Sequence, residues 1–124
     1  MKKILIVDDE KNIVRIIKFM LEREGYKIST AFDGIEALNI VRREQFDLII
    51  LDIMMPNLSG EDFLRIRKSD KNLNKIKVIM LTAKKTEETK NECIELGCDE
   101  FFNKPFSIEE ISPVIKKLLA AENL

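Results

Sequence analysis

The 124-residue sequence contains no histidine. That absence removes Ser-His-Asp and Cys-His nucleophile systems and every metal site built on imidazole. Whatever chemistry occurs here must come from carboxylates, hydroxyls, lysines and a hard metal ion. Cysteine is scarce as well. Cys93 and Cys98 stand five apart, which fits neither a C-x-x-C redox pair nor a zinc pattern, so both are expected to be plain reduced side chains. No apolar run approaches the roughly 18 residues of a membrane helix. The opening "MKKILIVDDE" lacks the long apolar stretch and small-residue cleavage site of a signal peptide. Nor is there an excess of one charge: 21 lysines and arginines face 22 acidic residues, so no basic footprint for nucleic acid stands out. Repeats, linkers and low-complexity segments are missing too. The expectation is a cytoplasmic protein with no membrane or direct nucleic-acid partner, forming one compact domain over residues 1–124.

What is present is a core, since 45% of the residues are hydrophobic. Three aliphatic tetrads recur: Ile4-Leu5-Ile6-Val7, Leu48-Ile49-Ile50-Leu51 and Val78-Ile79-Met80-Leu81. Continuous apolar runs of strand length are what parallel strands buried on both faces look like. Helical spacing lies between and after them, in Ile13, Ile16, Ile17, Met20 and Leu21, and again in Ile111, Val114, Ile115, Leu118 and Leu119. The remaining pattern predicts a short strand over Lys27 to Ala31 and helices over Gly34 to Arg43, about Gly60 to Arg67, and Thr86 to Leu96. A short strand near Glu100 to Phe102 and a last helix after Ser107 complete it. Gly25 and Gly97 suit the positive-φ residue after a helix, and Ser107 with Glu110 reads as a capping box. Pro113 either kinks the last helix near Glu109 or, with Ser112, opens a helix of its own. Five successive β-α units with right-handed crossovers give an α/β fold, a parallel sheet covered by helices on both sides.

The strand ends carry the polar residues. The first tetrad runs into Asp8-Asp9, the second into Asp52, the third into Thr82, and "FFN" into Lys104-Pro105. In an open α/β sheet these ends share one edge, where ligands bind as the strand order reverses. Three clustered carboxylates cannot comfortably all ionise in a partly buried pocket without cations. An all-oxygen set favours a hard ion, magnesium before calcium. Lys104 would add a second positive charge, turning an anionic pocket into one that accepts a phosphoryl group. Each piece has a plainer alternative: Asp9 can cap a helix opening at Glu10, Asp52 can be a turn residue, Thr82 a cap and Lys104 a surface lysine. Four compatible groups at four converging strand ends favour the site. A flavin-phosphate site would want a Ser/Thr/Gly-rich loop where "DDEKN" stands, and a D-x-D phosphatase would want an acid where Met54 stands.

The stretches "ILIVDDE", "DLIILDIMMPNLSG", "VIMLTAK" and "GCDEFFNKPF", spanning essentially the whole chain, resemble a response-regulator receiver domain of two-component signalling. The resemblance implies a doubly wound, flavodoxin-like (βα)5 sandwich with strand order 2-1-3-4-5. It implies that Asp52 accepts a phosphoryl group from a histidine of a partner kinase. Magnesium would be ligated by Asp9, Asp52 and the Met54 backbone carbonyl, with Asp8 acting mainly through water. Thr82 and Lys104 would contact the phosphoryl oxygens, and Thr82 with Phe101 would form a switch that alters the face of the fourth helix, fifth strand and fifth helix toward an effector. Met54, Ala83 and Lys84 would flank the phosphoryl group and tune its hydrolysis. Such a module promotes its own phosphorylation and dephosphorylation without being a turnover enzyme, as a monomer or a phosphorylation-dependent dimer. Pro113 lies in the last helix pattern and Val114 stands where winged-helix regulators carry a basic dimer residue, so that dimer is not carried over. A phosphate-independent interaction module could lose members of the set freely; here Asp8, Asp9, Asp52, Thr82 and Lys104 are all kept.

Overall fold

The computed structural model describes residues 1–83 and 86–120. Five β-α units follow one another: β1 (Lys3–Val7), α1 (Lys11–Arg23), β2 (Lys27–Ala31), α2 (Gly34–Arg43), β3 (Leu48–Asp52), α3 (Gly60–Ser69), β4 (Lys77–Thr82), α4 (Glu87–Glu95), β5 (Glu100–Asn103) and α5 (Ile108–Ala120). The strands pair in parallel in the order β2-β1-β3-β4-β5. This is the doubly wound, flavodoxin-like sheet, with the order reversing between β1 and β3.

Why the tetrads are continuous rather than alternating is visible in the two cores. Leu5, Val7, Ile49, Leu51, Val78 and Met80 face one side, where Ala37 and Leu38 of α2, Phe63 and Leu64 of α3 and Cys93 of α4 close over them. Ile4, Ile6, Leu48, Ile50, Ile79 and Leu81 face the other, under Val14, Ile17 and Leu21 of α1 and Ile111, Ile115 and Leu119 of α5. Successive strand residues point to opposite faces, so a strand covered on both sides must be apolar at every position. Phe101 and Phe102 split the same way, the first against the α2/α3/α4 core and the second against the α1/α5 core.

Helix ends follow ordinary local chemistry with instructive exceptions. Asp33, Ser59 and Thr86 each accept a bond from a first-turn amide, capping α2, α3 and α4. Gly25 and Gly97 take φ of 97° and 96°. At Gly97 the helix closes in a Schellman arrangement, with Cys98 N donating to Cys93 O and Gly97 N to Ile94 O. Both cysteines are free thiols. Asp9 does not cap α1: the cap residue is Glu10, and no side chain bonds there. The capping box at Ser107 and Glu110 does not form either; the Ser107 backbone carbonyl alone accepts from Glu110 N and Ile111 N. Pro113 lies inside a single continuous α5, so the reading of Ser112-Pro113 as a separate helix start is overturned. Its ring position lacks the N–H that would have bonded Glu109, a loss the buried face of Ile111, Ile115 and Leu119 outweighs.

Arg67 ties α3 to the floor of the sheet. Its Nε and Nη2 donate to the Ile76 carbonyl at 2.9 and 2.6 Å, and Nη1 donates to Gly97 O at 3.3 Å. Burial pulls the guanidinium pKa below its usual value, against the opposing charge of Asp99. Among the described residues no helix is long and apolar enough to cross a membrane.

Candidate functional site: a carboxylate cluster at the sheet edge

Strand register assembles the site one residue at a time. Val7 pairs with Leu51, so Asp8 emerges beside Asp52. Asp52 pairs with Leu81, next to Thr82; Thr82 pairs with Asn103, next to Lys104. Parallel pairing thus converts separations of tens of residues into lateral neighbours about 4.8 Å apart. The structure brings together every strand-end group that the sequence singled out.

Ligand oxygens of Asp8, Asp9 and Asp52 lie within 4.8 Å of one another. Asp8 and Asp52 are buried, at 1% and 5% exposure, while Asp9 is exposed at the rim. Lys104 reaches across from the β5 end, its Nζ donating to Asp8 Oδ2 at 2.7 Å and to Asp52 Oδ2 at 3.4 Å. The ammonium is no surface lysine, since its side chain is only 12% exposed. Asp8 Oδ1 accepts from Glu10 N at 2.9 Å, and Asp52 Oδ1 from Met54 N at 3.3 Å. The Lys104-Pro105 bond is cis. Lys104 N donates to Thr82 O at 2.8 Å, which fixes where the lysine leaves the sheet.

Electrostatics mark Asp52 as the group under tension. Burial, then the neighbouring Asp8 charge, push its pKa up from 3.8 to about 6, against the pull of Lys104 and the Met54 amide. The carboxylate is therefore ionised for the most part near pH 7 despite its burial and the Asp8 charge beside it. Burial alone would lower the Lys104 pKa, but its bond to Asp8 and the charges of Asp52, Asp8 and Glu10 leave it raised. An all-oxygen set, two members buried and one open to solvent, fits a hard divalent cation that keeps some of its water.

Thr82 is fully buried, Phe101 half-buried, and Met54 and Ala83, which follow Asp52 and Thr82 in the chain, are exposed. Lys84 lies outside the described residues. Two contributors escaped the sequence reading. Glu10 Oε1 accepts from Lys104 Nζ at 3.4 Å across 94 positions of chain. Gly60 opens α3 directly against the strand that carries Asp52, donating its N–H to Ile53 O at 2.8 Å. A Cβ at Gly60 would stand 2.8 Å from both Asp52 O and Ile53 Cα. Backbone atoms cannot yield as a flexible side chain can, so Gly60→Ala should cost roughly 1–3 kcal/mol and shift the acidic cluster. Urea denaturation checks this; an unchanged midpoint would contradict the close approach.

Residues 4–116 match the family described as response regulator receiver domain. The chain belongs to that family. This receiver is 43% identical over 118 residues to the alkaline phosphatase synthesis transcriptional regulatory protein PhoP of Bacillus subtilis, an alignment covering 95% of this chain and 48% of that protein. It therefore spans about half the length of that relative. The receiver domain of a Francisella response regulator superposes with a TM-score of 0.92 at 37% identity, covering 98% of this chain and 99% of the other. The receiver domain of a sensor histidine kinase from Pseudomonas aeruginosa superposes at 0.87 with 27% identity over 96% and 98% of the two chains; its structure has a magnesium ion coordinated in the active-site cleft. Fold and family agree: this receiver is a two-component signalling module of the chemotaxis-type fold.

Proposed function

We propose that this receiver takes a phosphoryl group from a phosphohistidine of a sensor kinase onto Asp52. The observation that carries the reading is the cluster itself: a buried carboxylate with its pKa raised to about 6, beside a second buried carboxylate and a lysine ammonium 3.4 Å away. Asp9, Asp52 and the Met54 carbonyl would hold Mg2+, with Asp8 acting through water. When bound, the ion neutralises charge on the phosphoryl oxygens and on the carboxylates around them.

In the transfer, an Asp52 carboxylate oxygen forms the new P–O bond while the donor's P–N bond breaks and the imidazole leaves with the electron pair. Phosphoryl transfer needs alignment and charge neutralisation more than covalent assistance. Lys104 supplies one positive charge from a fixed position, and the Thr82 hydroxyl supplies a donor to another phosphoryl oxygen. The product is an acyl phosphate that water can cleave, so the module resets itself without being a turnover enzyme. Met54, Ala83 and Lys84 would set how readily that water arrives. Engagement of Thr82 would let Phe101 pack further inward, altering the α4/β5/α5 face that an effector reads. The kinase donor, an effector protein or output domain, a cytoplasmic setting, residues 1–124 acting as one receiver unit, and a monomer or phosphorylation-dependent dimer complete the reading.

Incubation with Mg2+ and acetyl phosphate tests it by intact mass. The native chain should gain one phosphoryl group, the gain should vanish in EDTA, and Asp52→Asn should gain none. A native chain that binds Mg2+ but takes no phosphoryl group from acetyl phosphate or from a phosphorylated kinase would overturn the reading.

A further inference from the structure

Glu10 closes a ring around Lys104 that no strand-end rule predicts. Its backbone N–H donates to Asp8 Oδ1 at 2.9 Å, Lys104 Nζ donates to Asp8 Oδ2 at 2.7 Å, and the same Nζ donates to Glu10 Oε1 at 3.4 Å. A lysine ammonium has three N–H donors and here meets three carboxylates, the last being Asp52 Oδ2 at 3.4 Å. The local structure of α1 points the same way. α2, α3 and α4 each place a side chain on a first-turn amide, whereas the cap position of α1 holds a glutamate that caps nothing and turns to Lys104 instead.

We propose that Glu10 is a positioning residue: with Asp8 it holds two of the Lys104 N–H groups, so that the third stays aimed at Asp52 and at the phosphoryl group arriving there. Lysine is a point charge on a flexible four-carbon stem, and a buried acceptor in Asp8 with a second, more exposed one in Glu10 restricts the rotamers that would carry the ammonium out to solvent. The inference rests on the phosphoacceptor reading for its kinetic consequence, but the hold on Lys104 belongs to the resting protein. Because Glu10 makes no cap bond, its replacement leaves the helix start as it is.

Two variants separate position from charge. Glu10→Ala removes the acceptor and the charge, whereas Glu10→Gln removes the charge and keeps an acceptor oxygen at the same reach. In magnesium-free protein, acylation of Lys104 by acetic anhydride, followed peptide by peptide, should run roughly two- to five-fold faster in Glu10→Ala, the range a partly exposed ion pair allows. Glu10→Gln, which keeps the acceptor and loses only the charge, should rise by a clearly smaller factor than Glu10→Ala. With Mg2+ and saturating acetyl phosphate, the maximal rate of phosphoryl incorporation should fall by a similar factor in Glu10→Ala and be largely kept in Glu10→Gln. If charge alone matters, the two variants will match each other and the half-saturating acetyl phosphate concentration will drop instead, which overturns the proposal. Native-like labelling and rates in both also overturn it. A native chain that takes up no phosphoryl group contradicts the phosphoacceptor reading separately, and the labelling comparison then decides by itself whether Glu10 holds Lys104.

Discussion

In EDTA at pH 7.5, Asp52→Asn should be more stable than the native chain by roughly 1–3 kcal/mol. The folded pKa of Asp52 is raised from 3.8 to about 6 because burial and the Asp8 charge disfavour the ionised form. Two pKa units correspond to roughly 3 kcal/mol, an upper figure because the pocket can relax and admit water. The sign follows from linkage. A carboxyl whose folded pKa is raised contributes its full stability below the unfolded pKa, near pH 4, and loses it as pH rises through about 6. The native chain should therefore lose stability relative to Asp52→Asn between about pH 4 and pH 6. Below that window the two should converge. Asparagine cannot ionise, and Lys104 still has Asp8 and Glu10 as acceptors when the Asp52 charge is gone. Urea titrations at pH 4 and pH 7.5 check the window; an Asn variant no more stable than the native chain at pH 7.5 would contradict it. Added Mg2+ should close the gap by stabilising the native chain more than the variant.

Lys104→Met should act in the opposite direction and on two quantities. Its ammonium contacts Asp8 at 2.7 Å and Asp52 at 3.4 Å, both buried, so removal leaves two carboxylates facing each other. Breaking a buried pair from one side typically costs 3–5 kcal/mol, and this pocket opens to solvent at one edge, so a loss of roughly 2–4 kcal/mol in EDTA is expected. Phosphoryl incorporation should fall by about 10²–10³, the scale on which a preorganised charge at the transferring group acts. Combining Lys104→Met with Asp52→Asn should restore part of the lost stability and none of the incorporation, since one carboxylate of the repelling pair is then neutral. A Lys104→Met chain of native stability in EDTA would mean that the ammonium does not compensate the cluster.

The strands were legible because burial on both faces leaves so little choice, whereas their order followed from the receiver resemblance: nothing polar interrupts Ile4 to Val7 or Leu48 to Leu51, and the first polar residue after each marks the edge of the sheet. Once the strands are parallel, their ends must meet, so Asp8, Asp52, Thr82 and Lys104 could be assembled before any coordinates. The bounds of α2 were equally plain, because Asp33 caps and Gly34 begins the helix where the pattern starts. Helix ends that rely on the backbone were not. Ser107 and Glu110 have the right identities for a reciprocal cap, yet only the Ser107 carbonyl serves, and Asp9 leaves the cap position to Glu10. Motif chemistry cannot distinguish a side chain that turns to its own helix from one turned to a neighbour. Glu10 and Gly60 escaped for a related reason: the first acts across 94 positions through a lysine, and the second through the missing atom that lets α3 approach β3. Arg67 reads as one more charge on a helix face, and only the fold shows it buried against the Ile76 carbonyl.

One carboxylate, Asp52, is expected to become the acyl phosphate, and the position of that acyl phosphate can be read chemically. After incubation with Mg2+ and a phosphorylated donor, borohydride reduces an acyl phosphate to the alcohol, turning the modified aspartate into homoserine, which peptide mass spectrometry locates. Homoserine at position 52, with Asp8 and Asp9 recovered unchanged, is the result predicted. Homoserine at 8 or 9, or a phosphoryl group that survives reduction on a serine or threonine hydroxyl, would contradict the assignment of Asp52 as the acceptor.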